Sequence, residues 1–148
     1  MRKKTKAVTG FTLTMVMALG FAVFFYLNFK TVVVSGESML PTFKSGQRVL
    51  VSKAYWLIGG IRPKDIVVIA DENPENTDGY LIKRVYKMGG EKVDYANVPP
   101  EHKLADGDYV VPEGHLYVLG DNREHSEDSR RYGPIPINSV IGKVVVLP

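Results

Sequence analysis

Residues 80–88, YLIKRVYKM, indicate the fold class because they form an apolar, aromatic and β-branched run that holds charged side chains at its centre. Successive side chains of a strand point to opposite faces, so Lys83 and Arg84 must lie on opposite sides of a sheet. Six further runs between turn residues also predict strands: TVVV (31–34), RVLVSKAYWLI (48–58), DIVVIA (65–70), DYVV (108–111), LYVLG (116–120) and VIGKVVVL (140–147). We therefore expect a mostly β protein with a compact antiparallel sheet.

The segment at about 87–114 interrupts this pattern. It contains NVPPEHKLADGD (97–108), which is rich in turn residues and has little periodicity. We predict that it forms a small cap or flap beside the sheet.

A long apolar segment precedes the sheet. Residues 7–29 carry no charged side chain, and a helix of that length can cross a hydrocarbon core of about 30 Å. Basic residues lie within residues 1–6, so the positive-inside rule predicts a cytoplasmic N-terminus, a transmembrane anchor at 7–29 and an extracytoplasmic β domain at 30–148. A cleaved secretory signal is the alternative, but its apolar core is usually only about 7 to 15 residues long.

The charge distribution argues against a nucleic-acid partner. The pI is about 9.0, but four of the 19 basic residues lie at positions 2, 3, 4 and 6. The other fifteen are balanced by 16 acidic residues, so the β domain carries no basic surplus. The chain contains no cysteine, which excludes disulfides, a thiolate nucleophile and zinc–thiolate sites.

Ser38 lies in SGESMLPT (35–42), an irregular turn bounded by glycine and proline, and can be a nucleophile or only a turn residue. A serine hydroxyl needs an adjacent base. Lys83 can serve if burial lowers its pKa by about 3 units, whereas Arg84 stays protonated. Lys83 can instead protect an edge strand or extend to water. The three histidines are alternative bases, and all lie in polar surroundings: His102, His115 and His125.

A third polar stretch, LGDNREHSEDSRRYG (119–133), follows a predicted strand. It does not match a calcium-binding loop, because Arg123 and His125 stand where that loop needs oxygen ligands. An internally paired loop is more consistent with the sequence. In that interpretation Asp128 and Arg130 fix the shape of the loop, and the Ser126 hydroxyl can orient a neutral lysine amine.

Together the three stretches resemble the bacterial type I signal peptidases, a membrane-anchored family with a serine/lysine dyad. SGESMLPT is similar to the family's serine box, with Ser38 as nucleophile and Gly36, Met39 and Pro41 around it. RPKDIVVIA (62–70) resembles its core strand, and LIKRV (81–85) places the general base at Lys83 with Arg84 beside it. GDNREHSEDSRRYG (120–133) matches the last box, whose supporting residues are Gly120, Asp121, Asn122, Arg123, Ser126, Asp128 and Arg130.

The resemblance implies acyl transfer without a metal or cofactor. The implied substrates are preproteins with small residues at the last and third-last signal positions, and the other implied partner is the lipid bilayer. The sequence departs from the family's pattern in the turn KMGGEKV (87–93). It also departs at Gly36, where some members carry a serine whose side chain adds a hydrogen-bond donor to the oxyanion hole. The short cap is typical of the small Gram-positive members, and the lysine at position 83 indicates the bacterial branch, because the endoplasmic-reticulum type has a histidine as its base. Residues 30–148 would be the catalytic domain.

Two alternatives differ in their chemistry. A self-cleaving cytosolic repressor shares the dyad but lacks an N-terminal anchor, and a membrane-anchored β protein that only binds secreted chains needs neither Ser38 nor Lys83. The penicillin-binding pattern S-x-x-K is absent around Ser38.

The segment YWLIGGI (55–61) also allows two interpretations. Trp56, Leu57 and Ile58 either continue a core strand into a turn or form an exposed lip at the membrane interface. Ser38 follows the apolar segment by only about nine residues, which places it within roughly 30 Å of the bilayer.

Overall fold

An apolar helix leads directly into a β-sheet in the computed structural model, which describes residues 2–71, 76, 78–104 and 107–145. Helix α1 spans Arg2–Asn28, and its part Gly10–Asn28 has a mean hydropathy of 1.9 with none of its residues buried. At 1.5 Å per residue, these 19 residues cover about 28 Å, close to the thickness of a hydrocarbon core. The helix is therefore long and apolar enough to cross a membrane. The division of the chain at residues 6 and 29 stays a prediction.

The expected antiparallel sheet is confirmed. It has 7 strands in the order β1-β2-β7-β3-β4-β5-β6, and every neighbouring pair is antiparallel. The strands are β1 Phe29–Val33, β2 Arg48–Ser52, β3 Ile66–Ala70, β4 Tyr80–Met88, β5 His115–Leu119, β6 Ile135–Pro136 and β7 Val140–Val145. A short helix, α2 (Ser129–Tyr132), precedes β6.

Three details of the strand prediction are wrong. The strand expected at 108–111 is absent, and only Val110 forms an isolated bridge, to Lys92. The run expected at 48–58 ends at Ser52, and Tyr55–Ile58 form a 3-10 turn instead, because two glycines with positive φ follow. Strand β6 was missed because its proline conceals the strand pattern.

The turn at Tyr55–Ile58 decides between the two interpretations of residues 55–61, a core strand or an exposed lip. Trp56 and Leu57 are 67% and 55% exposed, so the core-strand alternative is wrong for them. Whether they contact lipid stays a prediction.

Two apolar clusters flank the sheet and a third lies beneath the excursion between β4 and β5. The first cluster joins strands β1, β2, β3, β4 and β7 to Met39 and Phe43, which come from the turn after β1. The third contains Val93, Val98, Val111, Tyr117 and Leu119. The turn that carries Ser38 is therefore part of the main core rather than a loose surface loop.

Strand β4 positions Lys83 inside the sheet. It lies between β3 and β5, so it is not an edge strand and the edge-guarding role suggested for Lys83 is wrong. Lys83 is only 3% exposed, whereas the neighbouring Arg84 remains partly accessible on the other face. The amine of Lys83 is therefore removed from bulk water.

Candidate active site

The serine turn is held by its apolar side chains. Met39 is 1% exposed and packs in the main core with Phe43. The amide of Phe43 donates to the carbonyl of Met39 (2.9 Å), and the amide of Leu40 donates to that of Glu37 (3.1 Å). Gly36 has a φ of 75°, a conformation that a residue with a side chain rarely adopts. Burial of Met39 thus fixes the backbone while the neighbouring Ser38 stays accessible.

Ser38 and Lys83 meet across the fold. The Nζ of Lys83 lies 2.8 Å from the Oγ of Ser38, within hydrogen-bond distance. Burial lowers the pKa of Lys83 below its usual value, and the negative charges of Asp128, Glu127 and Asp71 partly oppose this shift. A neutral amine that contacts a hydroxyl can accept its proton, so this pair has the geometry of a nucleophile and its base.

The dyad opens onto a cleft of about 280 Å³. Ser38 and Lys83 line it together with Gly36, and Asp71 and Glu127 form an acidic part of its wall. A second cavity of about 330 Å³ shares some of these residues and is more apolar; its other lining residues are Ile69, Ala70, Tyr132 and Ile135. The serine hydroxyl therefore lies in the first cavity, and the second adjoins that cavity through Asp71 and Glu127.

Asp128 organises the loop that follows β5. It is fully buried, and its carboxylate accepts hydrogen bonds from the Arg130 Nε (2.8 Å) and Nη2 (2.9 Å) and from the Gly120 amide (2.9 Å). Burial raises the pKa of Asp128, but the bonds from Arg130 and Gly120, together with the nearby Ser126 hydroxyl, outweigh it and hold the pKa below its usual range. The predicted Asp128–Arg130 pair is thus present, and it closes the loop onto the sheet.

The same loop holds the serine turn. The Asn122 amide donates to the carbonyl of Ser38 (2.9 Å), and its side chain donates to the carbonyl of Glu37 (3.2 Å). Gly120 packs so closely that a Cβ there would lie 2.6 Å from the Ser38 carbonyl and would also collide with the side chain of Ser126. Only glycine fits at position 120, because a side chain would displace the serine turn.

Arg84, on the face of β4 opposite to Lys83, joins this strand to the serine turn through Asp121 and Thr42. Its Nε and Nη2 donate to the two carboxylate oxygens of Asp121 at 2.7 and 2.6 Å, and its Nη1 donates to the Lys64 carbonyl at 2.9 Å. The Thr42 hydroxyl donates to the same carboxylate at 2.5 Å. Burial raises the pKa of Asp121, but the bonds from Arg84 and Thr42 more than offset it, so the pKa lies below its usual value.

Two residues of the loop after β5, Ser126 and Arg123, make no hydrogen bond with Ser38 or Lys83 in the described structure. The Oγ of Ser126 is buried and makes no hydrogen bond with the described residues, although it lies close enough to Asp128 to help lower the pKa of that carboxyl. Arg123 points towards the excursion between β4 and β5, where it donates to the Asn97 side chain (3.0 Å) and lies over the Tyr86 ring. Arg123 therefore supports the site from outside the cleft.

No histidine lines the cleft that holds Ser38 and Lys83. His102 packs edge-on against Tyr109, and His115 contacts the carbonyl of Glu113. His125 is exposed. The described cleft thus favours lysine over each histidine alternative.

Sequence reasoning missed three contributors to this site. Asp71 and Glu127 lie in the wall of the cleft, and the Tyr80 hydroxyl donates to the carbonyl of Val33 (2.8 Å), which ties the start of β4 to the end of β1. These residues come from separate parts of the chain and belong to no shared motif. Only the folded structure brings them together.

The family model and the curated relatives that match this chain identify one family. A sequence model described as signal peptidase, peptidase S26, matches residues 7–99 and 99–147. The signal peptidase I of Bacillus caldolyticus is 35% identical over 144 residues, which cover 78% of this chain and 77% of that protein. Signal peptidase IB of Staphylococcus aureus (strain COL) is 34% identical over 143 residues, covering 75% of this chain and 73% of that protein. A solved signal peptidase I from Enterococcus faecalis V583 is 26% identical, covers 57% of this chain and 97% of its own, and has a TM-score of 0.43.

Proposed function

The chain belongs to the signal peptidase family, peptidase S26, whose reaction removes signal peptides from secreted preproteins, and we propose that Ser38 and Lys83 carry out this reaction. The observation that carries the proposal is the contact of 2.8 Å between the Ser38 hydroxyl and the amine of Lys83, a residue that is only 3% exposed. Such an amine can be neutral near the working pH, as a general base must be.

The proposed reaction has two steps. Neutral Lys83 takes the hydroxyl proton as Ser38 Oγ attacks the carbonyl carbon of the scissile bond, and the resulting ammonium gives a proton to the leaving amine. The signal peptide is then joined to Ser38 as an ester. A water molecule, deprotonated by Lys83, attacks this ester and releases the signal peptide and the free serine.

The surrounding residues have supporting roles in this proposal. The backbone N–H of Ser38 stabilises the oxyanion, since Gly36 contributes no side-chain donor. The buried Ser126 hydroxyl makes no hydrogen bond with the described residues and is therefore free to orient the amine of Lys83 during the reaction, and the Asp128–Arg130 pair keeps the loop that carries Ser126 in place. Gly120, Asn122 and the Arg84–Asp121 pair hold the serine turn, with Met39 and Pro41 shaping it.

The preferred substrates have small residues at the last and third-last signal positions. This preference is the one that the resemblance to the family implies. Ser38 lines the cleft of about 280 Å³, which shares part of its wall with the cavity of about 330 Å³, so there is space for two substrate side chains near the nucleophile. An extended substrate backbone presents alternate side chains to one side, so two cavities can receive the last and third-last residues.

The orientation in the membrane belongs to the same proposal. Helix α1 crosses the bilayer once, the basic residues at positions 2, 3, 4 and 6 stay in the cytoplasm, and the sheet lies on the outer side. Signal peptides of exported chains are presented on that side of the membrane.

The function is tested by incubating the full-length chain in detergent with a preprotein that contains an Ala-x-Ala site. Mass spectrometry should show one cut directly after the last alanine. The matched control carries leucine at the last position, and the proposed preference for small residues at that position predicts that this substrate is not cleaved. Equal cleavage of both substrates would contradict the proposed specificity, and cleavage of neither would contradict the activity.

The pH dependence follows from the environment of Lys83. Because only the neutral amine accepts a proton, kcat/KM should rise with pH through the pKa of Lys83, and burial places this limb below the ordinary lysine value of 10.5. Glu127 raises that pKa, so Glu127→Gln should move the limb to lower pH. Glu124→Gln, in the same loop, is the control and should not move it. A limb that stays in place in Glu127→Gln would argue against Lys83 as the base.

A further inference from the structure

The excursion between β4 and β5, residues 89–114, is packed onto the sheet by its own apolar side chains. The isolated bridge between Lys92 and Val110 joins its two arms. Three of its valines share the third apolar cluster with two residues of β5, and no member of that cluster is more than 7% exposed: Val93, Val98, Val111, Tyr117 and Leu119. The excursion therefore has a defined position on β5 and can hold a neighbouring loop in place.

Asn97 is the residue of the excursion that contacts the loop after β5. Its carbonyl accepts a hydrogen bond from the Tyr117 hydroxyl (2.6 Å), which fixes its backbone to the sheet. Its side-chain oxygen accepts from Nη1 of Arg123 (3.0 Å), and its side-chain nitrogen donates to the Tyr86 hydroxyl (3.2 Å). The Arg123 guanidinium also lies 5.6 Å from the centre of the Tyr86 ring. Asn97 thus joins the sheet through its backbone and holds Arg123 through its side chain.

Arg123 is bonded to the residue that holds the serine turn. The amide of Asn122 donates to the Ser38 carbonyl (2.9 Å), and its side chain donates to the Glu37 carbonyl (3.2 Å). The carbonyl of Arg123 accepts from Nη2 of Arg130 (2.6 Å), so the loop is also held from within. Because Asn122 and Arg123 share a peptide bond, a shift of Arg123 moves the group that holds the nucleophile. Contacts therefore run without a break from the excursion to the backbone of Ser38.

Asn97 acts on this chain of contacts from outside the cleft. It lines neither of the two cavities near the dyad. In the part of the chain that the structure describes, it accepts the one hydrogen bond that the Arg123 guanidinium donates. Arg123 is exposed, so its long side chain gains conformational freedom when this bond is lost. An effect of Asn97 on the reaction must accordingly pass through Arg123.

We propose that Asn97 is a positioning residue for the reaction. By holding Arg123 it keeps the loop after β5, and with it the serine turn, in the geometry that places the Ser38 hydroxyl 2.8 Å from the Lys83 amine. The proposal rests on the proposed function of this dyad. It gives the excursion between β4 and β5 a role in the reaction although its contact residue does not touch the substrate.

The first test is the cleavage of an Ala-x-Ala preprotein by the full-length Asn97→Ala variant in detergent. Its kcat should fall about 10-fold, because a small displacement of reacting groups is costly. Its KM should change less than about twofold, since Asn97 lines neither cavity. The variant should fold, because the bond from Tyr117 uses the Asn97 backbone. A wild-type kcat in Asn97→Ala would overturn the proposal.

Two further variants show whether the effect passes through Arg123. Asn97→Asp keeps an oxygen that accepts from Arg123 and should restore most of the lost kcat. The double variant Asn97→Ala/Arg123→Ala should have the kcat of Arg123→Ala alone, whereas losses that multiply would contradict the proposal. The matched control is Lys92→Gln, which removes an exposed ion pair with Asp108 in the same excursion and should keep the wild-type kcat.

The second test measures hydrogen exchange at the Asn122 amide, which donates to the Ser38 carbonyl. Exchange should be faster in Asn97→Ala than in the wild type and in Lys92→Gln, because the loop opens more often. Asn97→Asp should return it towards the wild-type rate. This measurement does not require cleavage, so a failure of the positioning contact can be distinguished from a failure of the proposed activity. Unchanged exchange at Asn122 in Asn97→Ala would overturn the proposal.

Discussion

Replacing Ser38 by alanine is expected to lower kcat/KM for preprotein cleavage by at least about 10⁴-fold, because removal of a nucleophile leaves only binding and oxyanion stabilisation. Such a factor is about 5 kcal/mol of transition-state stabilisation. Ser38 makes its side-chain contact with Lys83 and is not part of the apolar core. The fold should therefore survive, and the thermal midpoint in detergent should change little.

The matched control is Ser45→Ala, an exposed serine in the same connection between β1 and β2. It should retain the wild-type kcat/KM. The measurement is the initial rate of formation of mature protein at limiting substrate, together with a thermal melt of each variant. Cleavage by Ser38→Ala within tenfold of the wild type would mean that Ser38 is only a turn residue.

Lys83→Met should lower kcat/KM for cleavage to a similar extent as Ser38→Ala does. The variant should be at least as stable as the wild type. Methionine has a similar length but cannot accept a proton, so Ser38 loses its base. Burying an amine is unfavourable, and an apolar side chain of similar volume removes this cost. The variant should therefore be inactive and well folded, a combination that a merely structural role for Lys83 would not produce.

The difference in stability between Lys83→Met and the wild type should depend on pH in a defined direction. The pKa of Lys83 is lower in the folded chain than its ordinary 10.5, so between these two values the unfolded chain binds more protons. The wild type consequently becomes more stable as pH rises through this window, whereas the methionine variant lacks this change. The advantage of Lys83→Met in thermal midpoint should be largest below the folded pKa and should shrink towards pH 10.5.

Lys87→Met, four residues further along β4, is the control for this pair of measurements. Lys87 is partly exposed and lies near the Tyr86 ring rather than in the cleft. Its variant should keep both activity and the pH dependence of stability. Full activity in Lys83→Met would instead identify another base and remove the dyad from the proposal.

Local sequence patterns were sufficient for much of the fold. Short β-branched runs predict strands because side-chain alternation is a property of the strand backbone. The apolar segment before residue 30 predicts a long helix because an uncharged run of about 20 residues is long enough to cross a hydrocarbon core in helical form. The failures occurred where context overrides the pattern. DYVV at 108–111 has strand-forming residues but pairs only through Val110, and β6 contains a proline that a sequence pattern counts against a strand.

The resemblance of the three polar stretches identified the family and named the residues of the site, and the functional roles of those residues stay predictions. The tertiary structure added the relation between them. Ser38 and Lys83 are 45 positions apart, and Thr42 and Asp121 are 79 apart, yet each pair lies within hydrogen-bond distance. No periodicity encodes such distances, because they depend on how the serine turn, β4 and the loop after β5 pack together.

The difference between what the sequence determines and what the folded structure determines is clearest in two properties. The sequence alone was enough to place Ser38 on a turn and Lys83 in a strand. It was not enough to predict the burial that lowers the pKa of Lys83 or the exposure of Trp56 and Leu57. Both depend on which atoms surround a side chain, and nearly all of these atoms come from distant parts of the sequence, so they are defined only once the chain has folded.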